Sequence, residues 1–129
     1  MVDRMRGSRA GTGGDVNMDD TIHLTIPTSQ QLLSVATLVL GGVGSRLHMS
    51  YERVDDLQLA TLSTLAASDG ATVTLEINAR DDELTVDIGP LSAGSGADTG
   101  LRRVLDRLVD DVDTVTRDGH EWVTLHLKR

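Results

Sequence analysis

Cysteine and phenylalanine are absent from this sequence, and its large aromatic side chains are limited to Tyr51 and Trp122. Without cysteine the chain can form no disulfide and offers no thiolate chemistry, which fits a cytoplasmic protein. Because aromatic residues are so few, the core has to be assembled from Leu, Val, Ile and Ala.

Long apolar runs are also missing. No run approaches the roughly 18–20 residues that a membrane-spanning helix needs. The N-terminal segment has no apolar stretch between its charged residues and its glycines, so a secretory signal is not expected. The predicted location is therefore the cytoplasm, with no membrane partner.

Basic residues are scarce relative to acidic ones: 12 Lys and Arg stand against 20 Asp and Glu, for a net charge of −8. Contacts to phosphate need a basic face, so this balance argues against nucleic-acid binding as the main activity. The acidity is compatible with a basic partner protein, or it serves solubility alone.

The chain divides into a short tail and one domain. Residues 1–20 are rich in Gly, Arg and Asp, lack apolar periodicity, and are predicted to be a disordered tail. Met18 lies in this tail, so either Met1 or Met18 could be the true start. Residues 21–129 switch between periods of 2 and 3.6 and are predicted to form a single domain.

The periodicity of this domain predicts the order strand, helix, helix, strand, strand, loop, helix, strand, strand. Helices are expected over residues 29–43, 51–67 and 100–112. Hairpin turns are expected at residues 80–82 and 118–119, so the strands that they join should be antiparallel. The predicted fold is an α+β two-layer sandwich, with a mixed, mostly antiparallel sheet of about five strands and the helices on one face.

The first predicted helix is apolar nearly all round and carries no charge, and glycines at 41, 42 and 44 are expected to end it. A helix of this kind is buried on more than one side. It should therefore lie deep in the core or face a partner subunit.

Two segments resemble the RsbW-type anti-sigma-factor serine kinases, a branch of the GHKL (Bergerat-fold) ATPases. One runs from Gly44 to Met49 and through the following helix, which Ser50 caps. The other is the amphipathic stretch from Leu101 to Val112. The order of elements over residues 21–129 is also that of this family, so the resemblance implies a GHKL-like, histidine-kinase-like ATPase domain.

In this family the second helix carries a glutamate that serves as general base and, four residues on, an asparagine that holds the magnesium of ATP. Aligned from the shared stretch Val54 to Leu57, these positions fall on Ser63 and Ala67. A hydroxyl of ordinary acidity cannot replace a carboxylate base, and a methyl group cannot ligate magnesium. The resemblance therefore implies a pseudokinase with no catalytic residue and no metal ligand at these positions.

The family also carries an Asp that binds the adenine amino group, followed two positions on by Gly. One alignment places Pro90 at the Asp position, and proline has no side-chain acceptor. The other uses Asp87 and Gly89, which would then contact a nucleotide. Asp87 fits equally as the outward-facing residue of a half-exposed strand.

A glycine-rich stretch over residues 89–100 occupies the place of the family's phosphate-binding glycines, so Gly94, Gly96 and Gly100 are candidate cofactor-binding residues. Glycine loops before a helix can bind phosphate. Against this, Asp98 would repel a phosphate and no basic residue precedes the helix. The composition also fits a flexible connector.

Two positions bear on partner binding. Arg46 matches the Ser-Arg element that follows the first helix in the family. Thr37 falls where the family has a second arginine that contacts the sigma factor and the anti-anti-sigma protein. The resemblance implies a sigma factor or an anti-anti-sigma (STAS) protein as partner, and a homodimer built on the first helix and the first strand.

Three functions follow from these observations. The leading hypothesis is a degenerate anti-sigma factor that acts by protein–protein binding in a partner-switching system, with no cofactor. The first alternative is an active kinase that uses ATP and magnesium to phosphorylate an anti-anti-sigma protein. The second alternative is a GHKL-like module with a structural role in an assembly.

Overall fold

The computed structural model describes residues 21–68, 70–80 and 82–128, and within the first helix it leaves the side chains of residues 30–33 undescribed. The predicted tail over residues 1–20 and the candidate start at Met18 lie outside the described residues. In chain order the elements are β1 (Thr21–Pro27), α1 (Gln30–Arg46), α2 (Tyr51–Leu65), β2 (Thr72–Ala79), β3 (Glu83–Leu91), a short 3₁₀ turn (Ser95–Ala97), α3 (Thr99–Leu108), β4 (Asp111–Arg117) and β5 (His120–Lys128).

The strands form one sheet in the order β1-β2-β3-β5-β4, and every neighbouring pair is antiparallel. Leu75 on β2 lies opposite Leu24 on β1 and Ile88 on β3. Since side chains alternate along a strand, this register places one apolar set on one face of the sheet. The predicted α+β two-layer sandwich is confirmed.

Both predicted hairpin turns are also present. Arg80 N–H donates to the Glu83 carbonyl where β2 turns into β3, at 2.8 Å. Between β4 and β5, Asp118 and Gly119 have positive φ values of 51° and 79°. That pair of conformations is typical of a two-residue hairpin turn and suits an Asp-Gly sequence.

The core lies between the apolar sheet face and the helices, and α2 is central to it because it contacts α1, α3, β3 and β5. α2 begins at Ser50, whose hydroxyl accepts the Arg53 N–H at 3.2 Å. It buries Leu57, Ala60 and Leu65. The buried apolar side chains of the described residues are all Leu, Val, Ile and Ala, as the composition predicts.

The predicted helix over residues 100–112 is too long at its C-terminal end. α3 ends at Leu108, Val109 is extended with φ −125° and ψ 166°, and β4 begins at Asp111. Val112 is still buried, but from the sheet, where it pairs with Leu125. Val112 belongs to β4, but its place in the sequence also fits the helical repeat of α3. The apolar spacing therefore extended the predicted helix beyond its actual end.

The glycines of α1 do not end the helix, which continues to Arg46. A Cβ on Gly44 would lie 2.5 Å from Cγ2 of Val54. This glycine therefore allows α1 and α2 to pack closely, and that contact outweighs the low helix propensity of glycine.

α1 is less buried than its composition predicts. It places Ala36, Leu40 and Val43 in the core, whereas Leu38 is 75% exposed. Over residues 34–46, where its side chains are described, the helix is therefore buried along one side. Among the described side chains of α1, Leu38 is the large apolar one that stays exposed, and the partner-subunit interpretation stays a prediction.

Thr61 on α2 generates a stability prediction. It is fully buried, and among the buried side-chain polar atoms of the described residues its hydroxyl is the one without a hydrogen-bond partner. An unpaired buried hydroxyl costs about 1–3 kcal/mol. We expect Thr61→Val to raise the free energy of unfolding by about 1 kcal/mol, measured by urea denaturation.

Thr64→Val is the matched control, because the Thr64 hydroxyl donates to the Ala60 carbonyl at 2.9 Å. That variant should be neutral or slightly destabilising. A loss of stability in Thr61→Val equal to that in Thr64→Val would show that the Thr61 hydroxyl is satisfied.

Candidate functional site

Ser63 and Ala67 lie at the C-terminal end of α2, on the helical layer. Ser63 is half-buried in the last turn, and Ala67 lies in the turn that follows. The main chain of Ala67 is fixed by the segment after β3, since its carbonyl accepts the Ser92 N–H at 3.2 Å and the Ser92 hydroxyl at 2.9 Å. At these two positions the end of α2 therefore presents a hydroxyl and a methyl group.

Asp87 lies on the other face of the sheet. Its neighbours on β3, Val86 and Ile88, are fully buried toward the helices. Because side chains alternate between the two faces of a strand, the Asp87 side chain lies on the sheet face opposite the helices, named here the open face. There its carboxylate accepts from the Arg117 guanidinium at 3.0 Å and from the Thr124 hydroxyl at 2.5 Å. Asp87 is thus separated by the sheet from the end of α2.

Arg117 is the residue that organises the open face. From β4 its side chain crosses the Trp122 ring, with the guanidinium carbon 4.2 Å from the ring centroid. It then pairs with Glu76 on β2 and Asp87 on β3, at 3.0 Å in each case. The hydrogen bond to Glu76 and the negative charges of both carboxylates raise the pKa of Arg117, against the lowering effect of burial.

Sequence reasoning did not identify Arg117 or Glu76 as functional residues. Arg117 stands opposite His120 at the hairpin turn. Nothing in its sequence neighbourhood indicates that its side chain reaches across β5 and β3 to β2. The sequence does place Arg117 on the same predicted sheet as two acidic residues, Glu76 and Asp87, which is the one signal that indicates an ion pair.

Gly89 packs directly against the ring of Trp122. A Cβ at Gly89 would overlap the indole carbons of Trp122, so the ring lies directly on the glycine. The register between β3 and β5 shifts after Ile88, and the Gly89–Pro90 peptide is cis. The Pro90 carbonyl accepts from the Ser68 hydroxyl at 3.4 Å.

The segment over residues 92–98, named here the glycine loop, is ordered by hydrogen bonds. Gly94 has a φ of +87°, and its N–H donates to Glu121 Oε1 at 2.9 Å. The Gly96 N–H donates to the other oxygen, Oε2, of the same carboxylate. The Ser95 hydroxyl donates to the Ser92 carbonyl at 2.7 Å. Residues 89–100 therefore include regular structure, namely the end of β3, the 3₁₀ turn Ser95–Ala97 and the start of α3, whereas the flexibility predicted from the composition stays a prediction.

Gly100 lies in the first turn of α3, where Asp98 caps the helix. Asp98 Oδ1 accepts from the Gly100 N–H at 2.8 Å and from the Leu101 N–H at 3.2 Å. A carboxylate already occupies the position at which an anion would meet this helix N-terminus.

The two predicted partner-binding residues lie on α1. The Thr37 carbonyl accepts from the Gln58 side chain at 2.9 Å, which ties α1 to α2, and the Thr37 side chain is half-buried. Arg46 is exposed in the last turn, where a cation is favourable for the helix dipole. Leu38 and Gly42 are exposed along the same helix.

The candidate nucleotide residues among the described residues therefore lie on opposite faces of the sheet. Ser63 and Ala67 lie with the helices, Asp87 and Gly89 face the open side of the sheet, and the glycine loop is bound to Glu121. A groove of about 190 Å³ beside this loop is lined by Leu91, Ala93, Thr116, Gly119, His120 and Glu121. It is smaller than the roughly 300–1,000 Å³ of typical ligand pockets.

The described residues contain neither a group of metal ligands nor a membrane-spanning helix. Within residues 21–68, 70–80 and 82–128, no three His, Asp or Glu side chains are grouped so that they could hold a metal ion. Among the described helices, none has the length and apolarity required to cross a membrane.

Comparison with known proteins gives distant relatives. No family model matches the chain. Proteins named Serine-protein kinase RsbW from Listeria monocytogenes serotype 4a and Listeria innocua serovar 6a are each 28% identical to it, over 79% of this chain and 83% of the relative. A protein of the same name from Halalkalibacterium halodurans is 23% identical over 55% of this chain and 48% of the relative. These similarities support a relationship to an RsbW-like anti-sigma kinase family.

The contact between Gly89 and Trp122 generates a prediction that separates packing from ligand binding. Gly89→Ala places a methyl group against the indole, and overpacking of this kind typically costs about 1–3 kcal/mol. We expect a matching loss in the free energy of unfolding and a changed emission spectrum of Trp122, which is the chain's one tryptophan.

Gly42→Ala is the control, because nothing lies within 4 Å of a Cβ at that helical position. It should leave stability unchanged or raise it, since alanine favours a helix over glycine by about 1 kcal/mol. Equal stabilities for the two variants would contradict the packing role of Gly89.

Proposed function

We propose that this protein is an anti-sigma-type regulatory protein of the cytoplasm. It acts by protein–protein binding in a partner-switching system, and its ATP site is degenerate. The partner is a sigma factor, an anti-anti-sigma (STAS) protein or both. The observation that carries this proposal is the chemistry at the end of α2, where the resemblance assigns Ser63 and Ala67 to the positions of the family's base and magnesium ligand.

The contacts around the other candidate residues support the same conclusion. To bind an adenine, Asp87 would have to give up Arg117 and Thr124, which lie at 3.0 and 2.5 Å. It would also have to act from the face of the sheet opposite α2. The amide groups of the glycine loop and of the α3 N-terminus are engaged by Glu121 and Asp98. Phosphoryl transfer depends mainly on positioning and on neutralisation of charge by a metal, and neither requirement is met by these side chains.

The surface of α1 supports the binding role. Leu38 is 75% exposed in the middle of a helix that carries no charge before Arg46. A partner that covers Leu38 would remove this apolar side chain from water, which favours association. The net charge of −8 favours a basic partner, for which electrostatic complementarity would mainly set the association rate and the specificity. The first helix and first strand are the proposed dimer surface.

The second candidate is an active serine kinase, and the name of the relatives, Serine-protein kinase RsbW, favours it. It would require Arg117 and Glu121 to release their partners when ATP and magnesium bind. It would also require a base other than Ser63.

The proposal predicts that the protein does not transfer phosphate from ATP. Loss of a general base alone lowers a rate by about 10²–10⁴, and loss of the metal ligand lowers it further. The measurement is incubation with labelled ATP, magnesium and candidate anti-anti-sigma proteins, and we expect no labelled product above background. Clear transfer that Asp87→Ala abolishes would establish the kinase instead.

A second prediction concerns the surface of α1. Leu38→Glu should weaken self-association or partner binding by tenfold or more, because a buried unpaired carboxylate costs well above ~1.4 kcal/mol. Light scattering measures the dimer, and calorimetry measures the partner. Leu59→Glu is the matched control, since Leu59 is an exposed leucine on α2 at 53%. A monomer in the unmodified protein, together with unchanged partner affinity in Leu38→Glu, would exclude this surface.

A further inference from the structure

Two main-chain amides of the glycine loop converge on one side chain. The Gly94 N–H donates to Glu121 Oε1 at 2.9 Å, and the Gly96 N–H donates to Oε2. Both oxygens of the carboxylate are therefore bound by backbone groups 25 or more residues away in sequence. Hydrogen bonds to an ionised acceptor are roughly twice as strong as bonds between neutral groups.

The position of Glu121 is fixed by the sheet. It lies near the start of β5, two residues before the buried Val123, so the two side chains share the face that carries the helices. Among the described residues no Lys, Arg or His forms an ion pair with it. The loop amides are thus the groups that stabilise the negative charge of this half-buried carboxylate.

The loop fits closely around this contact. A Cβ at Gly96 would overlap the Thr114 side chain and lie 2.7 Å from Glu121 Oε2. Ser95 is buried at 8% exposure. On the other side Arg102 Nη1 lies 3.5 Å from the Gly96 carbonyl, which ties the loop to α3. Glycine at 96 is required for this approach.

We infer that Glu121 is an internal anion that holds the glycine loop closed and excludes oxyanions from it. Successive backbone N–H groups in a turn form a concavity that binds anions. A carboxylate and a phosphate offer the same kind of oxygen acceptor, so the two compete for the same amides. The side chain has the advantage because it is attached to the neighbouring strand. That Glu121 holds the glycine loop closed follows from the hydrogen bonds alone. That this contact keeps the phosphates of a nucleotide away from the loop rests on the proposed function.

The test uses three variants of the full chain. Glu121→Ala removes both acceptors. Glu121→Gln keeps the shape but leaves a single acceptor oxygen and no charge, so it keeps the test informative if the alanine variant fails to fold. Glu52→Gln, at an exposed site in the first turn of α2, is the control for the same chemical change. Amide hydrogen exchange and ¹⁵N chemical shifts of Gly94 and Gly96 are measured, with Val123 as an internal reference.

In the unmodified protein and in Glu52→Gln, the two glycine amides should be protected and should not shift when pyrophosphate is added. In Glu121→Ala their exchange should accelerate roughly ten- to a hundredfold, the factor that corresponds to a hydrogen bond to a charged group. Exchange at Val123 should stay the same. Millimolar pyrophosphate should then shift both amides in Glu121→Ala, and Glu121→Gln should be intermediate.

Unchanged exchange of Gly94 and Gly96 in both Glu121 variants would overturn the closure. Accelerated exchange without any pyrophosphate shift would overturn the exclusion of oxyanions. If the unmodified protein binds ATP while both glycine amides stay protected, the degenerate-site proposal fails and the closure stands, so the two failures are distinguishable.

Discussion

The packing of α2 on the apolar face of the sheet is the contact on which the rest of the structure depends. Leu57, Ala60 and Leu65 are buried along one side of this helix, between α1, α3 and the central strands β3 and β5. Each buried leucine contributes about 1.5–3 kcal/mol relative to an exposed one. These buried residues fix the rotation of α2 about its axis. They therefore determine where Ser63 and Ala67 lie relative to the glycine loop.

Around that core, the polar groups of the candidate nucleotide-binding residues are engaged within the chain. On the open face Arg117 pairs with Glu76 and Asp87. On the helical side Glu121 binds the amides of the glycine loop, and Asp98 binds those at the start of α3. Each contact has an ordinary structural reason. Under the proposed function, ATP would have to replace several of these charge-assisted hydrogen bonds, and neither Ser63 nor Ala67 would supply a base or a metal ligand.

The fold could be predicted from the sequence because its signals are local. Alternation marks the strands, the Asp118-Gly119 turn sets one hairpin, and the uncharged apolar stretch identifies α1. The errors came where one pattern continued across two elements, as at Val112, or where a glycine serves close helix packing, as at Gly44. The contacts that define the candidate site could not be predicted, because Arg117 and Glu121 act on residues brought near only by the strand order β2-β3-β5-β4.

The central claim is that this fold acts by binding a partner without using nucleotide. The most direct measurement is the dissociation constant for the sigma factors and STAS proteins of the source organism, determined by calorimetry with and without magnesium–ATP. The account predicts a complex with at least one of them whose affinity is the same in both conditions. A change in affinity of about tenfold, which corresponds to ~1.4 kcal/mol of coupling between nucleotide and partner, would contradict it.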